Sequence, residues 1–451
     1  MFAQAAVKPI GASIADRQLS ADQVLVEGAG RTIRAGDLEE LIGRGAAYVG
    51  KRIGLCLTDP FDCVSAILAL DGHADTLLLL SPDLPARVAE QVMAKAGGDH
   101  ILSDRDDLPG AEPWGDQRLD EVTERALARN TQWLLTTSGT TGMPKLVQHD
   151  HASIVRSVRT IAKAADARWA MLYDPSRFAG TQVIAQALLG GGTLLIPDHR
   201  LSTGETVDWL GERGCTHVSA TPSLWRRILM APSVKKLALR QVTLGGEIAD
   251  AAILSALRGR FPEARITHIY ASTEAGTGFA VRDGMAGFPA DWLDQDVDGV
   301  RLAIRDGILW LRPAADTMTS AEHIERDAQG FIRTADRVTV DGERVMFLGR
   351  EDMALNVGGT KVQVEAVEDV VHAHPAVAQC RISARPSAMM GNLLTLSVVP
   401  KEQAVDAAAL KRDIASWCRD QLPAPARPAT IRIVPEIAIT AAGKQQRAVH
   451  G

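Results

Sequence analysis

A chain of 451 residues exceeds one ordinary domain and carries enough apolar material for two or three cores. With 46% hydrophobic and 23% charged residues and a net charge of −6, it has no field that would gather nucleic acid or anionic lipid, so small-molecule chemistry fits better than a polyanion partner. Five scattered cysteines (Cys56, Cys63, Cys215, Cys380, Cys418) without a C-x-x-C pair imply neither a disulfide framework nor a zinc site, and no uninterrupted apolar run approaches membrane-spanning length. A cytoplasmic protein without a membrane partner is expected, as monomer or homodimer.

The first segment, to about Asn130, alternates short apolar runs with helical periodicity. Strands are predicted at 52–57, 76–80 and around Ile101 and Leu102, with helices from Phe61 and from Asp83 or Leu84, a βαβαβ order that implies a parallel sheet. Glu27-Gly28-Ala29-Gly30 is a hairpin or loop turn and not a dinucleotide fingerprint, because Ile33 stands where the third glycine belongs.

The next stretch organises the rest. Trp133-Leu134-Leu135 reads as a buried strand that stops in Thr136-Thr137-Ser138-Gly139-Thr140-Thr141-Gly142-Met143-Pro144-Lys145. Gly139 and Gly142 let bare amides approach a polyphosphate, the hydroxyls of Thr137, Ser138, Thr140 and Thr141 add donors, and Lys145 adds charge. A Walker A is excluded, since Pro144 occupies the place of its second glycine. His149-Asp150-His151 lacks a third ligand at a sensible spacing, and a helix through Ile154, Val158 and Ile161 follows, so these are read as helix-entry residues.

Strands at 169–173, 193–196 and 216–220 then alternate with helices at 181–189, 207–213 and 223–230, a second doubly wound unit. Strand 242–244 ends in Gly245-Gly246-Glu247, and strand 266–270 ends in Ala271-Ser272-Thr273-Glu274-Ala275-Gly276. Ligands of open α/β sheets gather at such carboxyl ends. From about Val300 short β segments dominate, at 301–304, 308–311, 331–334, 338–340 and 345–348. Beyond Gly349-Arg350-Glu351-Asp352, helices at 364–372 and 407–422 with strands at 378–383, 393–399 and 431–434 make a module of roughly 100 residues, enough for its own core.

This ordered series resembles the adenylate-forming superfamily of acyl-CoA and aryl-CoA synthetases, nonribosomal peptide synthetase adenylation domains and luciferase. The resemblance implies a large α/β domain over residues 1–348 with a β-rich subdomain, a hinge at 349–352 pivoting on Asp352, and a small mobile α+β domain over 353–451. Tyr270-Ala271-Ser272-Thr273-Glu274 is similar to the Y-G-x-T-E segment, whose tyrosine meets adenine, whose threonine touches the α-phosphate and whose glutamate holds magnesium, a role that falls here to Glu274. Gly245-Gly246-Glu247 resembles the adenine-pocket lining. Asp336, in Arg333-Thr334-Ala335-Asp336, matches the carboxylate that grips the ribose, with Arg350 nearby; Ala335 replaces the usual glycine. Gly358, Gly359 and Lys361 resemble a pantetheine tunnel, and Lys444, in Thr440-Ala441-Ala442-Gly443-Lys444, the lysine that reaches acid and α-phosphate. Leu146 and Met353 depart from the family pattern.

The acid pocket implied by the same resemblance has Tyr173, Arg177 and Phe178 in one wall; Arg177 is read either as pairing a second polar group of the acid or as an ion pair with Asp174. The implied activity is ATP- and magnesium-dependent formation of an acyl-AMP from a small carboxylic acid, then transfer to coenzyme A. Two alternatives stand beside it: loading of a separate carrier protein's phosphopantetheine, and a non-catalytic nucleotide or acid sensor.

Overall fold

A computed structural model describes residues 8–115, 130–137, 143–159, 164–272, 276–313, 325–387, 390–402, 406–440 and 444. Two sheets carry the large domain. In the first, His100–Ser103, Arg52–Cys56, Thr76–Leu79 and Gln132–Thr137 run parallel, and Lys145–His149 closes the edge antiparallel to Gln132–Thr137. In the second, six parallel strands follow the spatial order Arg265–Ser272, Gln241–Gly245, His217–Ala220, Arg168–Ala170, Thr193–Leu195 and Val24–Glu27. Antiparallel edges, Gly276–Val281 and Thr32–Arg34, flank them.

Continuous apolar strands such as Thr76–Leu79, buried at every position, need cover on both faces, and helices supply it. Pro60–Leu70 begins with Pro60 in its first turn and with the Asp59 carboxylate accepting the Phe61 N–H, and nearly all of it is buried. Its Ile67 and Leu68 share one core with Val183 and Ile184 of helix Phe178–Leu189, which joins the two sheets through their helical layers.

A six-stranded antiparallel sheet follows, from Phe288–Pro289 through Arg344–Arg350, Ile332–Asp341, Ile308–Pro313 and Val300–Arg305 to Asp296–Val297. The small domain packs helices Val364–His372 and Ala407–Gln421 on a sheet built round Gly391–Pro400, with Val367, Val371, Leu396 and Ile414 in its own core. The architecture is therefore the expected large α/β unit followed by a small α+β one. Among the described residues no helix is long and apolar enough to cross a membrane.

Three local expectations need correction. The strands predicted at 331–334 and 338–340 are one strand, Ile332–Asp341, kinked by a bulge after Arg337. The helix expected through Val158 stops at Val155; the Val158 N–H turns back to the Val155 carbonyl at 2.9 Å and the Arg159 N–H is taken by Gln186, while Ile161 lies outside the described residues. Lys145 stands on a strand and not in a loop, paired across from Thr137. As expected of helix-entry residues, Asp150 caps the short helix, accepting the Ser153 N–H at 2.7 Å.

Candidate active site

The carboxyl ends of adjacent strands meet a residue brought from the far end of the chain. Strand Gln241–Gly245 runs into Gly246, whose φ of +81° suits glycine. A Cβ there would stand 3.2 Å from Lys444 Cε and 3.8 Å from its Nζ, so the missing side chain is what admits the lysine. Glu247, next in sequence, accepts the Ser223 N–H at 3.0 Å at the start of helix Pro222–Met230.

Lys444 as a residue is exposed, yet its ammonium enters a ring of charges. Burial of that ammonium lowers its pKa; Glu247 and Asp336 oppose the shift, and Arg350 and Arg177 add to it. Asp336 receives the Tyr270 hydroxyl hydrogen, and the Tyr270 ring stacks on Phe279 at 5.2 Å and on Phe347 at 5.5 Å. Burial raises the Asp336 carboxyl above its ordinary range although Tyr270, Arg350 and Lys444 pull it down. Arg350 is the cross-strand partner of Asp336 and binds Asp352 through Nε and Nη2, both at 3.0 Å. Burial alone would lower the Arg350 pKa; Asp352 and Asp336 outweigh it and hold the guanidinium charged.

Strand Gln132–Thr137 joins this ring through Arg177, whose Nη1 donates to the Thr136 carbonyl at 3.2 Å while its Nε stands 3.7 Å from Asp174. The Asp174 ion pair foreseen as one reading of Arg177 is thus present, with Nε still short of a hydrogen bond. Thr136 Oγ1 is likewise buried without a partner. Tyr173 is buried and donates to the Gly245 carbonyl at 3.2 Å; desolvation pushes its phenol up, against a hydrogen bond with Ser219. Phe178 is 5% exposed and stacks on His149, with its Cζ 4.0 Å from where a Cβ on Gly276 would stand.

Thr137 and Lys145 are paired across the two strands that flank residues 138–142. The loop residues Ser138, Gly139, Thr140, Thr141 and Gly142, and also Thr273 and Glu274, lie outside the described residues. Ala271 and Ser272 pair with the backbone of Thr277 and Gly276. Gly358 and Gly359, both at positive φ, form the two-residue turn between Leu355–Val357 and Thr360–Val362, and a Cβ on Gly358 would press on Met390 at 2.6 Å. Their conformational freedom therefore serves a tight hairpin first. Lys361 is exposed, and its charge helps to lower the pKa of Glu351, behind the stronger pull of Arg333.

Thr221 is a residue that motif reasoning missed. It caps helix Pro222–Met230, and its methyl would stand 3.7 Å from a Cβ on Gly246. The signal was available: strand His217–Ala220 is parallel to Gln241–Gly245, so its polar exit belongs with the others. Lys444, Arg350 and Arg177, the unpartnered Thr136 Oγ1 and Arg177 Nε, and a glycine floor together suit an anion with several oxygens.

Doubly wound sheets whose strand exits face a lysine carried by a separate small domain define an adenylate-forming enzyme. The chain belongs to the AMP-binding enzyme family, with residues 48–306 matching that family and residues 366–444 matching the AMP-binding enzyme C-terminal domain. It is 24% identical to syringomycin synthase SyrB1 of Pseudomonas syringae pv. syringae, over 94% of this chain and 78% of the relative. It is 25% identical to 2-succinylbenzoate–CoA ligase of Salmonella typhimurium over 79% of this chain and 77% of that protein. Against surfactin synthase subunit 1 of Bacillus subtilis, 25% identity extends over 85% of this chain but 12% of the much longer relative. The fold is that of the anthranilate CoA ligase AuaEII in complex with anthranoyl-AMP, with a TM-score of 0.78 at 20% identity over 98% of this chain and 96% of that one. E. coli MenE with bound OSB-AMS gives 0.73 at 20% identity over 96% of each chain.

Proposed function

We propose that the protein activates a small carboxylic acid, of aryl or polar type, with ATP and magnesium to an acyl-AMP, then transfers the acyl group to coenzyme A. One observation carries this reading: the Lys444 ammonium lies over Gly246 within reach of the charges of Asp336, Arg350 and Arg177. ATP supplies an electrophilic α-phosphorus and a pyrophosphate leaving group. In the first step a carboxylate oxygen bonds to that phosphorus as the bond to pyrophosphate breaks. Two anions must meet, and a lysine at their junction reduces the repulsion and stabilises the charge that builds on phosphorus.

Asp336 and Arg350 would orient the ribose, Tyr270 and Gly245 would flank the base, and Thr137 with Lys145 would hold the outer phosphates. The magnesium ligand is expected to be Glu274, since the carboxylate of Glu247 is engaged by the Ser223 N–H. Arg177, with its Nε unsatisfied, would take the acid's carboxylate or a second polar group on it. In the second step the thiol sulfur bonds to the acyl carbon and AMP leaves with the bonding electrons.

Carrier loading is the second reading, favoured by the 24% identity to SyrB1 over 94% of this chain. A panel of aryl, polar and amino acids assayed for AMP release, with coenzyme A or with a holo-carrier protein as acceptor, separates the two. The proposal expects acid-dependent AMP release and an acyl-CoA product. Acylation of the carrier alone would replace the acceptor, and no acid-dependent release with either would reject the activity in favour of a sensor.

A further inference from the structure

A second charged cluster is buried where the two domains meet. From the large domain come Arg226, on helix Pro222–Met230, and Asp250, the cap of helix Ala251–Arg260. From the small domain come Glu365, Glu368, Asp369 and His372, on helix Val364–His372, with Cys380 on strand Val377–Ser387 behind them. Arg226 donates to Asp250 Oδ2, and His372 Nδ1 stands 3.6 Å from that same oxygen. Arg226 and His372 are each 8% exposed and Asp250 is 7% exposed, so water screens these charges little.

Asp250, Asp369 and His372 each offer a ligand atom within 4.8 Å of the others, a spacing open to a cation. The hydrogen bonds favour a proton instead. His372 Nε2 accepts the Cys380 N–H at 3.2 Å, so the neutral ring carries its proton on Nδ1, the buried atom that faces Asp250 and has no hydrogen-bond partner. A cation on Nδ1 would force that proton onto Nε2, against a backbone donor, and would sit beside the Arg226 charge.

The same elements lead to the active site. Helix Val364–His372 packs on the hinge strand so closely that a Cβ on Gly349 would stand 3.0 Å from the Glu365 carboxyl carbon. Arg227, beside Arg226, donates to the Ile437 carbonyl at 2.6 Å, on the segment that leads to Lys444. We propose that Arg226, Asp250, Asp369 and His372 form an interdomain latch, a set of positioning residues that keeps the small domain where Lys444 reaches Gly246 and releases it when the cluster changes charge. The latch rests on reading Lys444 as the adenylation lysine.

Burial, helped by Arg226, pushes the His372 imidazole from 6.5 down to about 3, while burial and then Asp250 raise Asp369 well above the usual carboxyl range. Between those histidine values the closed arrangement binds fewer protons at His372 than the open one, so this group by itself favours opening in acid. At Asp369 the closed arrangement keeps a proton that the open one loses above 3.8, so below 6.5 the two effects offset each other and above it Asp369 alone favours opening as pH rises.

Spin labels on cysteines introduced at Met285, in the large domain, and Arg412, in the small one, report the interdomain distance by pulsed electron resonance; the five native cysteines are buried. The full chain is expected to show one dominant distance in mild acid, with a second population growing as pH rises above 6.5, where the Asp369 effect is no longer offset by His372. Asp250→Asn keeps the helix cap and should enlarge the second population at neutral pH by on the order of tenfold, whereas Asp369→Asn should remove the growth above 6.5 and, with His372 no longer offset, let acid enlarge that population instead. If Asp250→Asn does not fold by circular dichroism, Arg226→Gln reads the same pair from its other side. Distances unmoved by pH and by these substitutions, or moved by zinc ion and restored by chelator, would overturn the latch. No acid or nucleotide enters the measurement, so its failure is separate from a failure of the acid panel.

Discussion

Asp336 shows how a single side chain is committed before any ligand arrives: the Tyr270 hydroxyl is on one oxygen, Arg350 lies across the strand pair, and burial raises its pKa. Asp336→Asn keeps the shape and deletes the charge, and the loss of a hydrogen bond to a charged acceptor, about 1.5–3 kcal/mol, predicts a rise of about tenfold or more in KM for ATP with a smaller change in kcat. Steady-state kinetics at saturating acid checks this; a fall in kcat at constant KM would move Asp336 from binding to chemistry. Asp336, Arg350 and Lys444 were legible because each sits in an ordered motif. Thr221 and the link from Arg177 to the Thr136 carbonyl were not, because they depend on which strands are neighbours, which no local pattern encodes. Phe178 reads equally as pocket wall or core, as an aromatic at a helix start does: it stacks on His149, and its Cζ stands 4.0 Å from a Cβ placed on Gly276 at the strand exit.

At the scale of elements the hinge carries the sharpest expectation. Asp352 lies in the short turn Glu351–Met353 and accepts hydrogen bonds from Nε and Nη2 of Arg350, one on each carboxylate oxygen. Asp352→Pro restricts the backbone at the proposed pivot of the small domain; if the pivot lies there, adenylation is expected to stay within a few-fold while thiol transfer falls by roughly 100-fold or more. Isotope exchange from pyrophosphate follows the first step and thioester formation the second, and parallel loss of both would deny the pivot. Elements with strong local period were legible, above all helix Val364–His372, found at its predicted bounds. Strand Lys145–His149 was not, because the preceding run of Gly, Pro and Thr reads as loop and the strand exists through its pairing with Gln132–Thr137. The bulge that joins 331–334 to 338–340 escaped notice because Ala335 and Asp336 interrupt the apolar alternation, at the carboxylate proposed to hold the ribose.

Among the described residues burial lowers the pKa of four histidines, His73, His217 and His268 in the large domain and His372 in the small one, and the shift is largest at His217 and His372. His217 packs on Trp169 and is pushed from 6.5 down to about 4 by burial, then by Arg240 and Arg265, while His372 falls to about 3. Both bind fewer protons folded than unfolded below 6.5, so stability is full above that value and is lost as pH falls towards about 4. The melting temperature should therefore decline with acid over this window, and less steeply in His217→Gln; an equal slope in the variant would contradict the assignment. The contact between domains was the least legible feature of all, since Asp250 and His372 lie far apart in sequence and neither belongs to a motif.

The central claim is that distant stretches of one chain cage a triphosphate and a carboxyl round Lys444. Pyrophosphate exchange measured for the wild type and for Lys444→Ala, using whichever acid of the panel supports AMP release, tests it most directly. The account predicts a loss of roughly 100- to 1000-fold in kcat for the variant with KM for ATP changed little, because the lysine acts on the transition state. Exchange that survives the substitution, or a loss carried by nucleotide binding alone, would contradict it.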